Sequence, residues 1–168
     1  MRMMRRKLPG QISVWEPTPR DIMKEVLHFS QISKGDMIFD LGCGDGRILI
    51  EAAKKYDAKA IGFDINPWLV KKTRQDAKEN KVGRLVKARK QDILKIQDFH
   101  LANVVYLYLP DGAVHKIFPI LYDKCRKGTK IITLGSHHVT GNNKHYPVYK
   151  EMTINKPARF WKIRMWLI

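Results

Sequence analysis

Seven consecutive residues, Asp40-Leu41-Gly42-Cys43-Gly44-Asp45-Gly46, restrict this chain more than any other feature. They follow the apolar run Met37-Ile38-Phe39 and precede Arg47 to Tyr56, where Ile48, Ile50, Ala52 and Ala53 give a helical pattern. A strand, a glycine turn and a helix in that order form the βα unit of a nucleotide-binding sheet. Glycines there admit positive φ and let backbone N–H groups approach a ligand, with the positive end of the helix behind them. The acid precedes the first glycine, and the spacing is Asp-x-Gly-x-Gly-x-Gly. A pyrophosphate cradle reads Gly-x-Gly-x-x-Gly instead.

The rest of the chain continues the alternation. Thr18 is expected to cap a helix with Pro19 at its first position, Asp21 in its first turn, and Ile22, Val26 and Phe29 on its apolar face. Ala60-Ile61-Gly62-Phe63 reads as a second strand, and Pro67 opens a helix to about Asn80. Leu85 to Arg89 and Asn103 to Leu109 read as strands, Asp111 as the cap of a helix through Cys125, and Lys130 to Leu134 as a fifth strand. Two more strands are expected at 146–153 and 159–167, with a turn at Asn155-Lys156-Pro157 between them and Trp161 and Trp166 packing the last edge strand. The pattern predicts the α/β class: a Rossmann-like, mostly parallel sheet, helices on both faces, and an antiparallel C-terminal edge. At 168 residues the chain suits one domain, residues 1–17 being a basic, irregular N-terminal segment.

Composition narrows the setting. Two cysteines, Cys43 and Cys125, lie far apart without metal-ligand spacing, which points to a reduced, cytoplasmic protein. No apolar run approaches the ~20 residues of a membrane span. The basic start, Met1 to Lys7, has no apolar stretch behind it and does not read as a secretory signal. Lys and Arg total 32 against 16 Asp and Glu, a formal net charge of +16. Such a surface either keeps the chain soluble or recruits an acidic partner such as RNA.

Three acids fall where ligands bind in open α/β sheets, at the carboxyl ends of strands. Asp40 suits positive groups, and S-adenosylmethionine carries an ammonium and a sulfonium but no phosphate. Asp64, which closes Ile61-Gly62-Phe63-Asp64, is placed to accept both ribose hydroxyls. Asp92, in Gln91-Asp92-Ile93, is placed to accept from the adenine amino group, with Ile93 against the ring. Each has a plainer role available, as a turn, cap or loop acid.

The run Asp40 to Ile48, followed by Gly62-Phe63-Asp64-Ile65-Asn66, resembles the class I, seven-strand S-adenosylmethionine-dependent methyltransferases. With Glu16-Pro17-Thr18-Pro19 ahead of it, the chain resembles archaeal protein lysine methyltransferases and their mitochondrial relatives, over residues 14–135. The resemblance implies S-adenosyl-L-methionine as cofactor and Gly42, Cys43, Gly44, Gly46, Ile65 and Asn66 among its contacts. It also places Thr18 over the methionine end.

On the acceptor side stands Asn103-Val104-Val105-Tyr106-Leu107-Tyr108-Leu109-Pro110. It lacks the amide followed by Pro-Pro and an aromatic that enzymes use on the exocyclic amines of bases. Tyr106 and Tyr108 offer an aromatic mouth that suits a lysine, unless both merely pack the strand; the two-residue period puts them on one face. Deprotonating a lysine at pH 7 costs roughly 4.6 kcal/mol. A nearby cation offsets about 4 kcal/mol of that at an effective dielectric of 20, and an apolar channel adds to it. No general base is therefore required. His137, His138 and His145 do not form a metal set, since adjacent strand residues face opposite ways. Cys43 is read as a small turn residue rather than a nucleophile, and Trp161 as a residue that could line a substrate surface. The leading expectation is an N-methyltransferase acting on protein lysine side chains. RNA methylation, and a non-catalytic cofactor-binding module that docks nucleic acid or a partner, remain as alternatives.

Overall fold

The computed structural model describes residues 15–135, 140–141, 144–156 and 159–168. In chain order the elements are α1 (Arg20–Phe29), β1 (Met37–Leu41), α2 (Arg47–Tyr56), β2 (Lys59–Asp64), α3 (Pro67–Glu79), β3 (Val86–Lys90) and β4 (Val104–Leu107). They continue with α4 (Asp111–Lys124), β5 (Lys130–Leu134), β6 (Thr140–Gly141), β7 (Lys144–His145), β8 (Lys150–Lys156) and β9 (Arg159–Leu167). Seven strands make one sheet in the order β3-β2-β1-β4-β5-β9-β8, while β6 and β7 pair only with each other. β1 to β5 run parallel to one another; β9 runs antiparallel to both β5 and β8.

Both faces of the sheet are covered, which is why the central strands read as continuous apolar runs. Ile38, Val104, Tyr106, Ile132, Ile163 and Met165 pack with α1, α2 and Ala77 of α3 on one face. Phe39, Leu41, Phe63, Val105, Leu107 and Ile131 pack with α4 on the other. Phe39 meets Phe63 at a ring separation of 5.1 Å, and neither is exposed. Each such ring contributes roughly 1.5–3 kcal/mol by leaving water.

The structure moves several expected boundaries. Asn66 caps α3 by accepting from the Trp68 N–H at 3.0 Å, with Pro67 at the first position, as its sequence demands. Thr18 caps nothing: Pro19 occupies the cap position of α1, and the Thr18 hydroxyl reaches Tyr106 instead. Pro110 likewise stands at the cap of α4, which makes Asp111 its first residue. The strand expected at 103–109 is shorter, leaving Tyr108 just beyond β4. The penultimate strand begins at Lys150, and Asn155 and Lys156 lie within β8, paired with Phe160 and Arg159. Trp161 and Trp166 sit on β9, an interior strand, because β8 takes the edge. Pro157, His137 and His138 lie outside the described residues.

Candidate active site

The glycine turn joins β1 to α2, and its shape follows from bonds to the neighbouring strand. The N–H groups of Gly42 and Cys43 both donate to the Phe63 carbonyl, at 2.8 and 3.0 Å. Gly44 and Gly46 take φ of 56° and 73°. A Cβ on Gly44 would overlap the Trp15 indole, and one on Gly46 would overlap the Thr73 side chain, so both the backbone angle and the space demand glycine. Thr73 Oγ1 donates to the Gly44 carbonyl at 3.0 Å. Cys43 fills the space beside Gly62, and burial pushes its thiol well up, so it stays protonated.

Three carboxyl groups surround this turn, and their partners differ. Asp45 is neutralised by Arg47, whose Nε and Nη2 donate to Oδ1 and Oδ2 at 3.0 and 2.6 Å. Arg47 Nη1 also donates to the Thr18 carbonyl at 2.8 Å, which fixes the segment ahead of α1 over the turn. Asp64 accepts the Gly44 N–H on Oδ2 at 2.9 Å and the Asn66 N–H on Oδ1 at 2.8 Å. Burial raises its pKa, and those N–H groups partly oppose the shift. Asp40 is 3% exposed, and its carboxyl takes no hydrogen bond among the described residues. Burial, then the charges of Asp64 and Asp45, hold its pKa well above the ordinary 3.8.

A buried carboxylate without a partner is costly, so this site favours a ligand that brings positive charge. The Nδ2 of Asn66, buried and without a hydrogen-bond partner among the described residues, favours a ligand that also brings an acceptor. The chemistry of S-adenosylmethionine fits this donor set: Asp40 would hold its cationic end and Asp64 its ribose hydroxyls.

Tyr106 pairs in register with Asp40 across β1 and β4 and lies on the same face as Tyr108. Its hydroxyl is 3.3 Å from Thr18 Oγ1, and burial raises its pKa far above the ordinary 10. The Tyr108 ring packs on Trp161 at 5.8 Å, and its hydroxyl, beside Glu16 and Arg159, meets no hydrogen-bond geometry among the described residues. Burial, then the Glu16 charge, push that phenol up to about 12. Arg159 lies over the Trp161 ring at 4.1 Å and pairs with Glu16 at 3.1 Å.

The structure thus brings Thr18, Asp40, Gly42, Cys43, Gly44, Gly46, Asp64, Ile65, Asn66 and Tyr106 to one end of β1, β2 and β4, with Tyr108 beside them. Asp92 caps a 3₁₀ turn by accepting the Leu94 N–H at 3.0 Å, and Ile93 is buried in the core that covers Phe63. The cap accounts for one oxygen of Asp92 and leaves the other. Sequence reasoning gave no site role to Trp15, Glu16, Arg47 or Arg159, although Glu16 and Arg47 stand inside the two runs that carry the resemblance.

Comparison with known proteins agrees with this geometry. The family profile described as the ANTKMT methyltransferase domain matches residues 40–137. A protein-lysine N-methyltransferase of Saccharolobus islandicus is 30% identical over 118 residues, covering 70% of this chain and 73% of that protein. A human lysine N-methyltransferase, named for a subunit of ATP synthase, is 34% identical over 94 residues, 56% of this chain and 40% of its own length. The crystal structure of an RNA methyltransferase from Salinibacter ruber, bound to S-adenosyl-L-homocysteine, superimposes with a TM-score of 0.79 at 32% identity. That match covers 91% of this chain and 94% of the other.

Proposed function

The chain belongs to the ANTKMT methyltransferase domain family and is an S-adenosylmethionine-dependent methyltransferase; from that premise we propose that its methyl acceptor is the side-chain amine of a protein lysine. The observation that carries this reading is the aromatic wall of Tyr106, Tyr108 and Trp161 on the acceptor side, where a base amine calls for amide and Pro-Pro groups. Bound cofactor supplies a methyl group activated by a sulfonium. Asp40 and Asp64 would hold and orient it, and the Trp15 indole, seated on Gly44, would limit water at the turn.

The acceptor side strips water from an alkyl amine, which favours its neutral form. Both phenols hold their protons at neutral pH, so neither acts as a base. The amine therefore loses its proton to solvent, and turnover rises with pH toward the lysine pKa of about 10.4. The lysine acceptors in the names of the Saccharolobus and human relatives support this reading. A cytoplasmic setting belongs to the same proposal, supported by the two buried, unpaired cysteines.

A second reading, RNA as acceptor, is favoured by the likeness to the Salinibacter ruber RNA methyltransferase together with the net charge of +16. Incubating the protein with cell extract and labelled cofactor, then digesting with protease or nuclease, separates the two. Protease-sensitive, nuclease-resistant label is expected; label released by nuclease alone favours the RNA reading.

A further inference from the structure

Where the β8–β9 hairpin meets the segment ahead of α1, a cation sits on an aromatic face. The Arg159 guanidinium lies over the Trp161 ring at 4.1 Å, and its Nη1 donates to Glu16 Oε1 at 3.1 Å. The Tyr108 ring packs on Trp161, and its hydroxyl stands beside the same carboxylate and guanidinium. Trp161 is 6% exposed beneath this cover, whereas the Arg159 side chain is 52% exposed. An indole face, a phenol ring and a carboxylate together make a receptor for an organic cation.

A tether between the two elements explains part of this. That task has other holders. Lys156 of the hairpin pairs with Asp21 of α1 at 2.9 Å. Arg47 Nη1 holds the Thr18 carbonyl at 2.8 Å from the side of the glycine turn. The Glu16–Arg159 pair is exposed on both sides, and such a pair contributes little. Nor does a tether need its cation stacked on an indole.

The receptor adjoins the acceptor wall. Tyr108 lies two residues beyond Tyr106, which pairs in register with Asp40, and Trp161 belongs to both features. A cation bound here is not the reacting amine. Methyl transfer needs a neutral amine, whereas the Glu16 carboxylate favours a charged one. The receptor therefore suits a second side chain, which keeps its charge while the target lysine loses its proton. We propose that Glu16 and the Trp161 face bind a lysine or arginine that flanks the target lysine of the acceptor protein, and that Arg159 holds this place until the acceptor displaces it. Both contacts of Arg159 are of the weak, solvent-exposed kind, so the exchange costs little. The inference rests on a protein lysine being the methyl acceptor.

The probe is poly-L-lysine, titrated calorimetrically into the protein saturated with S-adenosylhomocysteine at about 0.15 M salt. The chain's net charge of +16 repels a polycation at long range, so binding reports a local site. Two variants break the same ion pair from opposite sides. Arg159→Ala vacates the receptor and is expected to tighten binding about threefold or more, while Glu16→Gln weakens it by a similar factor. A tether alone predicts the same direction for both, because each breaks one bond. Trp161→Leu changes no charge and is expected to weaken binding about threefold. If it does not fold, Trp161→Phe serves, with a smaller loss in the same direction. Lys34→Ala and Asp57→Asn control for general charge effects, since that exposed pair stands ahead of β1 and β2, at the far end of those strands. Each control is expected to shift binding by less than about 1.5-fold. Shifts of one sign in Glu16→Gln and Arg159→Ala, no shift in either, shifts matched by the controls, or no polylysine binding by wild-type protein and Arg159→Ala overturns the inference. The lysine acceptor is judged separately, by the labelled product from cell extract. Label on lysine together with any of those results leaves the acceptor reading standing and removes the receptor.

Discussion

At Asp40, stability and ligand binding pull in opposite directions. Its folded-state pKa lies well above 3.8, so the folded protein holds a proton more tightly than the unfolded chain. The buried carboxyl therefore destabilises the ligand-free protein at pH values above its raised pKa. That penalty shrinks as pH falls through the raised value toward 3.8. Asp40→Asn is expected to raise the melting temperature at neutral pH, with a gain that fades on acidification. The same change should weaken cofactor binding at least about tenfold, or ~1.4 kcal/mol. Calorimetry in buffers of different ionisation enthalpy should show wild-type protein releasing protons as cofactor binds, because the cation favours the ionised carboxylates. Asp64→Ala has a different signature: it lowers both stability and cofactor affinity, since two backbone N–H groups lose their acceptor. Unchanged calorimetric affinity in that variant contradicts the ribose assignment. Asp40 and Asp64 were legible in the sequence because the ends of parallel strands fix where such residues point. The destination of the Thr18 hydroxyl was not, because its partner Tyr106 lies 88 residues away.

Among the elements, the glycine turn and the β8–β9 hairpin make separate demands. Gly46→Ala places a Cβ at positive φ and against Thr73. A loss of roughly 1–3 kcal/mol is expected in denaturant unfolding. Adding Thr73→Ala should restore only the steric part, leaving the backbone part behind. The hairpin supplies Trp161, and it is clasped to the N-terminal segment by Arg159–Glu16 at 3.1 Å and Lys156–Asp21 at 2.9 Å. Trp161→Ala is expected to lower turnover severalfold while cofactor affinity stays within about twofold of wild type, since the side chain packs on Tyr108 rather than on the turn. Equal losses in both would move Trp161 to the cofactor side. The parallel strands and the helices behind the glycine turn were readable from apolar runs and from Asn66-Pro67. The hairpin was displaced by several residues because only Met152 and Ile154 turn inward in β8, while the apolar Tyr146, Val148 and Tyr149 ahead of it made the strand look as if it began earlier.

At the scale of the whole molecule, the sheet order separates two surfaces: the acceptor wall beside β4 and β9, and the basic edge at β3. Charge counting alone could not separate them, because the 32 basic residues are spread along the whole sequence. Cofactor affinity should therefore respond weakly to salt and macromolecular binding steeply. Everything proposed for the acceptor side turns on the identity of the methylated atom. Tandem mass spectrometry of protein treated with isotopically labelled cofactor, at a series of pH values, tests that directly. Labelled methyl groups are expected on lysine Nζ, in amounts that climb with pH and fall in Asp40→Asn. Labelled nucleic-acid bases with unlabelled lysines would contradict a lysine acceptor.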